Sequence, residues 1–413
     1  MASKSLLSFA LIFTLSLFHF CQAGGVIPRR HGLTIIKDNV KNQYFTTFIV
    51  GSPPVTFTLL LDLGNLYSWI VMPTITNPPP SAPSLAAPPN APPMVVAAVL
   101  AAMPSLVRAA PTTPVAPMPR LLGVIAFTRP LKGISANTKG VLTLGNVNIA
   151  LHSVISKNFR LANKFALCLP TTDTILYKGF EGALYFGGGP YYMSKESRHD
   201  FSKSLVTTPL VVNPKSTAPI SSEGDKSVEY FLNVKAIEVG GTPLKIDSSL
   251  LTINKNGVGG TKLSTLDPYT VLHRNIYKAL VELFTAKAKA MNIPRVAPVA
   301  PFGACYDSRY MANTTSGPRV PTTDFVLDGR NARWRIYGAN LMVKFFDIKY
   351  RNVLCLGFVD GGLKTTTSIV IGGKQMEDNI IEIDLESFRV GFTSAPVSLG
   401  LSCSQFQATL PTF

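Results

Sequence analysis

From Leu63 to Thr172 the sequence contains no aspartate or glutamate, yet it carries eight lysines and arginines there. Over all 413 residues, charged side chains amount to only 15%. That scarcity excludes a disordered acidic or basic tail protein and a coiled coil. There is no Cys-x-x-Cys and no Cys/His cluster, which speaks against zinc, and no other metal site is expected. His31, His152, His199 and His273 are scattered, and no Gly-x-Ser-x-Gly is present, so a serine-hydrolase elbow is excluded. Gly187-Gly188-Gly189 lacks a following Lys-Ser/Thr and reads as a turn, not a phosphate cradle. The basic residues of 63–172 are not interleaved with aromatics, which disfavours nucleic acid. The two tryptophans, Trp69 and Trp334, read as core or cleft-wall residues and not as sugar platforms.

The charge that is present is lopsided. Lys+Arg 39 against Asp+Glu 23 gives +16, and half of it lies in the acid-free stretch. Taken alone, such a charge suggests an acidic partner. Its unevenness weakens that reading. Lys4 precedes the apolar run Leu6 to Phe20, and Cys21-Gln22-Ala23 follows, which reads as a secretory signal peptide over 1–23. The run is short for a membrane span, and the later apolar stretch Met94 to Leu106 is broken by Pro104, so no span is expected. Beyond the signal, Cys168, Cys305, Cys355 and Cys403 suggest two disulfides in an oxidising compartment, with three connectivities open. One sequon, Asn313-Thr314-Thr315, is a candidate glycosylation site on a surface loop.

Most of the chain reads as strand. Tyr44 to Val50, Val55 to Leu61, Tyr230 to Val239 and Ser368 to Ile371 are rich in β-branched and aromatic residues and bounded by turn formers. One helix is clear from its period, Asn275 to Ala290, with Ile276, Ala279, Leu280, Leu283 and Phe284 on one face. The expected organisation is two β lobes, 24–210 and 228–413, joined by a polar linker over 211–227. Residues 73–119 break the pattern with 14 prolines and 11 alanines. Proline at that density forbids helix and interior strand. The stretch 73–130 therefore reads as an aberrant, disordered interruption of the first lobe.

Two related strand-plus-loop units carry the functional signal. Leu59-Leu60-Leu61-Asp62-Leu63-Gly64 is an apolar strand ending in Asp-x-Gly; Lys262-Leu263-Ser264-Thr265-Leu266-Asp267 is its counterpart. Ile369-Val370-Ile371-Gly372-Gly373 and Arg389-Val390-Gly391-Phe392 follow. This order resembles the pepsin-type aspartic peptidases. Lys262 to Leu272, Val299 to Cys305, Val353 to Val359 and Ile371 to Ile380 resemble a plant extracellular branch of xylanase inhibitors, xyloglucan-specific endoglucanase inhibitors, extracellular dermal glycoproteins and basic seven-S globulins. The similarity runs from about His31 to Trp69 and resumes near Lys139.

The resemblance implies a mainly β, bilobal acid-protease fold with few short helices. It places Asp62 at the first catalytic position and Ser264 where an active enzyme has its second Asp. Aspartic proteolysis needs two carboxylates sharing a proton around a water. Serine cannot hold that charge, Leu63 lacks a bracing hydroxyl, and the flap region coincides with the Pro/Ala tract. A lone Asp62 is expected simply to ionise. The implied function is a secreted, proteolytically inactive protein, with no cofactor and monomeric, that inhibits a microbial cell-wall glycoside hydrolase in plant defence. Lys364, Lys374, Arg309 and Arg319 are the candidates for inhibitory loops. The alternatives are a weak aspartic endopeptidase and a storage or wall glycoprotein. The family pattern pairs Cys305 with Cys355 and Cys168 with Cys403. That pattern resumes in register after the Pro/Ala tract, so about Met72 to Arg129 reads as a frame-shifted or mis-spliced stretch.

Overall fold

The computed structural model describes residues 31–38, 41–50, 55–71, 124–127, 138–171, 181–192, 199–218, 224–345, 348–350 and 352–404. The signal-peptide reading lies outside them, as does the Pro/Ala stretch apart from Val124–Phe127.

One 16-stranded sheet forms the frame. Its strands are β1 (His31–Asp38), β2 (Gln43–Val50), β3 (Val55–Asp62), β4 (Ser68–Val71), β5 (Val124–Phe127), β6 (Gly140–Thr143), β7 (Lys164–Cys168) and β8 (Gly182–Phe186) in the first half. The second half supplies β9 (Val206–Val211), β10 (Phe231–Leu232), β11 (Thr261–Leu263), β12 (Thr270–Leu272), β13 (Phe358–Asp360), β14 (Ile369–Ile371), β15 (Ile380–Asp384) and β16 (Arg389–Thr393). The spatial order is β13-β12-β14-β11-β10-β9-β16-β15-β7-β8-β1-β2-β3-β6-β4-β5.

The two ends of this sheet repeat one another. At one end β3 runs parallel to β6, β6 antiparallel to β4, and β4 parallel to β5. At the other, β11 runs parallel to β14, β14 antiparallel to β12, and β12 parallel to β13. Asp62 and Ser264 follow the same step in each repeat: Asp62 sits beside Thr143, and Ser264 follows Leu263, which sits beside Ile371. Strand β5 falls inside the range read as aberrant, so that range is interrupted by a strand that completes the repeat.

Strand β3 is apolar on both faces toward its end because both faces are covered there. Leu59 and Leu61 enter the main core, while Leu60 points the other way into a cluster with Phe45, Trp69 and Val141. Among the described residues, two helices of some length pack on the sheets. The first, α1 (Leu151–Phe159), was not visible as a helix in the sequence. Its Leu151, Val154 and Ile155 are buried, but it has no side-chain N-cap and ends in a left-handed Arg160. The second, α2 (Arg274–Ala290), buries Ile276, Leu280, Phe284 and Ala288 and ends before Asn292, whose φ of 59° stops the helix.

The run Tyr230 to Val239 is not one strand. It breaks at Asn233, whose backbone and side chain both bond Asp328. Beyond the break, Val234–Val239 leaves the main sheet and pairs with Thr323–Leu327 in a four-stranded sheet. The disulfides follow the family pattern. Cys305 and Cys355 face each other across an antiparallel pair, and Cys168 of β7 joins Cys403 with a sequence separation of 235.

Candidate functional site

Asp62 is carried to the seam between the repeats by β3. Its Oδ1 accepts from the Gly64 amide at 2.8 Å, and its Oδ2 accepts from Asn65 Nδ2. Only 3% of the residue is exposed. Burial raises its pKa from 3.8 to about 6, against the lowering effect of the Gly64 and Asn65 bonds. The expectation that a lone Asp62 simply ionises is therefore corrected. Desolvation is the largest cause, and it favours the protonated form in mild acid.

Ser264 makes the matching turn. Its Oγ accepts from the Leu266 amide at 3.3 Å and the Asp267 amide at 3.2 Å. The offset of two residues is the one Asp62 uses with Gly64. The hydroxyl thus serves the turn as a carboxylate would, but brings no charge. Thr265 Oγ1 reaches across the seam and donates to the Leu61 carbonyl at 2.7 Å. In the other loop Leu63 is fully buried and has no hydroxyl to return that bond. Asp267 holds the turn through its backbone, its carbonyl accepting from the Gly373 amide at 2.8 Å.

A charged pair beside Asp62 was not read from the sequence. Glu229 is 8% exposed and accepts from Lys262 Nζ at 2.5 Å, from Ser227 Oγ at 2.9 Å and from the Thr217 amide and hydroxyl. A Cβ added at Gly64 would meet Glu229 Cγ at 3.0 Å and Asp62 Oδ1 at 3.7 Å, so a larger residue here would crowd the Glu229 side chain. The Glu229 charge raises the Asp62 pKa and Lys262 lowers it, which leaves desolvation dominant. The available signal was a lysine in the middle of a short strand, two residues before Ser264.

The four basic loop candidates do not come together as one group. Lys374 Nζ lies 2.8 Å from Glu377 Oε2 and is largely buried. Glu377 also accepts from Lys37 at 2.6 Å and Tyr44 at 2.9 Å, so Lys374 belongs to an internal junction. Its expected role as an exposed inhibitory cation is corrected on that ground. Arg309 is two-thirds exposed but clasps Asp307 of its own segment. Arg319 and Lys364 are exposed, as is Asn313. Trp69 and Trp334 are both buried in the core. Among the described residues no group of three or more His, Cys, Asp or Glu could hold a metal ion. Among those residues, too, no helix is long and apolar enough to cross a membrane.

Comparison with known proteins agrees with this geometry. The family described as "Xylanase inhibitor C-terminal" matches residues 229–394. The chain is 44% identical over 288 residues to "Probable aspartic proteinase GIP2" of Nicotiana benthamiana, covering 70% of this chain and 63% of that protein. It is 36% identical over 276 residues to "Gamma conglutin 1" of Prunus dulcis, covering 67% and 57%. The aligned stretches thus span less than two thirds of these curated relatives. The solved structure of edgp superposes with a TM-score of 0.77 at 33% identity, covering 92% of this chain and 98% of that one.

Proposed function

Because the chain belongs to the pepsin-like family of xylanase inhibitors, basic 7S globulins and gamma conglutins, we propose that it is a secreted, proteolytically inactive aspartic-peptidase homologue. In this reading it acts in the cell wall space by binding and inhibiting a microbial glycoside hydrolase. The carrying observation is Ser264, whose Oγ takes the turn amides that a second catalytic carboxylate would take. Peptide hydrolysis in this fold needs one ionised and one protonated carboxyl around a water. Asp62 can be one or the other, and Glu229 is committed to Lys262.

Binding is what such a fold can still do. Glycanase clefts carry paired carboxylates. An exposed guanidinium or ammonium on a fixed loop meets them with charge-assisted bonds. Lys364 fits that description. It follows Gly362 and Leu363, whose carbonyls are held by the Arg274 amide and by His273 Nε2. Arg309 and Arg319 are the other exposed candidates.

One observation favours a second reading, a weak aspartic endopeptidase: the Asp62 loop keeps its Gly64 bond, and burial raises the Asp62 pKa to about 6. Acid proteolysis by the unaltered chain separates the two: pepstatin-sensitive cleavage at about pH 3–5 would favour the endopeptidase, and none is expected. The Ser264→Asp variant is also expected to show none, because Leu63 still offers no hydroxyl across the seam. Turnover in that variant alone would trace the inactivity to Ser264 by itself.

A further inference from the structure

A cleft of about 370 Å³ opens on the second half of the molecule and shares no lining residue with the Asp62 and Ser264 loops. Its apolar lining is Val211, Val212 and Pro214 from the end of β9 onward, Leu232 at the end of β10, and Leu251 and Ile253. Leu232 and Leu251 are buried and form its floor. The polar lining is Asn233, Thr252, Asn254 and Lys255. Among the described residues, no acid and no aromatic ring lines it. Its volume falls at the low end of the range for small-ligand clefts.

The walls are tied to each other. Asn213, fully buried, donates from Nδ2 to the Gly257 carbonyl at 2.9 Å and accepts from the Lys215 amide on Oδ1 at 3.0 Å. Gly257 has a φ of 78°, and a Cβ there would meet Asn213 Oδ1 and Lys215 Cβ, each at 2.8 Å, so both its conformation and its contacts call for glycine. Asn254 Oδ1 accepts from the Asn256 and Val258 amides at 2.9 and 3.1 Å, and the Asn254 amide donates to the Val258 carbonyl at 2.9 Å. These bonds fix the turn that carries Lys255, so the cleft is built before a ligand arrives. Val212 and Val258, sequence neighbours of the bonded Asn213 and Gly257, stay 51% and 41% exposed. Apolar surface is thus left open beside the bond.

The charge of the cleft has one sign. Lys255 is its charged lining residue and is exposed; Lys215, exposed too, is held next to it in the structure through Asn213. Among the described residues neither lysine is paired with an acid. Asp328 bonds Asn233 Nδ2 at 3.2 Å, but it stands 4.0 Å from Lys235 and does not line the cleft. With Oδ1 engaged by the turn, Asn254 has its Nδ2 left to donate. A sugar or a nucleobase finds no ring to stack on here. A single lining cation matches one carboxylate better than a multiply charged phosphate. We propose that this cleft binds a small aliphatic monocarboxylate, its hydrocarbon part against Val211, Leu232 and Ile253 and its carboxylate at Lys255. The site is separate from glycanase inhibition, and either can fail without the other.

The test titrates the full chain with submicellar decanoate, followed by calorimetry and by saturation-transfer NMR. Decanol supplies the body without the charge, and acetate the charge without the body. Saturable one-to-one binding of decanoate is expected, roughly tenfold or more tighter than either control. Lys255→Glu and Val212→Asp, both at exposed positions, should each weaken it roughly tenfold, while Lys255→Arg retains it. Lys344→Glu, an exposed lysine on another sheet, should leave it unchanged. Thermal melts that match the unaltered chain show that the variants fold. Absence of saturable decanoate binding overturns the site. Equal binding of decanol overturns the carboxylate, and unchanged decanoate affinity in Lys255→Glu and Val212→Asp overturns the location.

Discussion

Asp62 shows how little of a site lies in its motif. Its place was legible, because an apolar strand ending in Asp-x-Gly fixes the turn. Ser264 and Thr265 were legible by the same spacing, and Thr265 makes the cross-seam bond that Leu63 cannot. Glu229 was not legible, since its approach to Asp62 depends on Gly64 and on a fold that joins residues far apart. The raised Asp62 pKa has a measurable sign. A carboxyl that ionises near 3.8 unfolded and about 6 folded makes the native state bind the extra proton between those values. Stability from this group is therefore highest below about pH 4 and falls as pH rises to about 6, by at most roughly 3 kcal/mol. Asp62→Asn should remove that slope in urea denaturation followed from pH 4 to 7. An unchanged slope in the variant would mean that Asp62 ionises in the fold as it does in water.

Among the elements, the strands around the two loops were legible, and α2 was legible because its apolar period runs over 17 residues. Helix α1 was not: nine residues with β-branched Val154 and Ile155 and no cap look as much like strand as helix. The break at Asn233 was hidden because periodicity cannot say which sheet a residue joins. Long in range is the junction at Glu377, where Lys37 of β1, 340 residues away, and Tyr44 of β2, 333 away, meet the local Lys374. Burial pushes the Glu377 carboxyl up, but the two lysines outweigh it and hold it below its ordinary range. Its contribution is thus present above the unfolded carboxylate pKa and lost as pH falls through the lower folded value. Glu377→Gln would leave two lysines around a neutral amide. It should cost about 3–5 kcal/mol at neutral pH, with a smaller loss in acid, read by the same denaturation series.

At the scale of the whole molecule, the bilobal plan was legible in the duplicated loops, and the sheet makes the duplication explicit. The net charge is a weak guide to partners. Half of +16 comes from the acid-free stretch Leu63 to Thr172, and three of its eight basic residues, Arg108, Arg120 and Arg129, fall within Met72 to Arg129. If Met72 to Arg129 is an out-of-frame reading, the tryptic peptide Ala109 to Arg120 should be missing from protein taken from the natural source. Its detection by mass spectrometry would make the tract genuine.

The most direct measurement takes one purified preparation and assays acid proteolysis beside xylanase and xyloglucanase inhibition. The expected result is no pepstatin-sensitive cleavage at about pH 3–5 and stoichiometric loss of activity of one glycanase, because Ser264 leaves Asp62 without its partner while the exposed loops remain. Robust pepstatin-sensitive cleavage, with both glycanases unaffected, would contradict it.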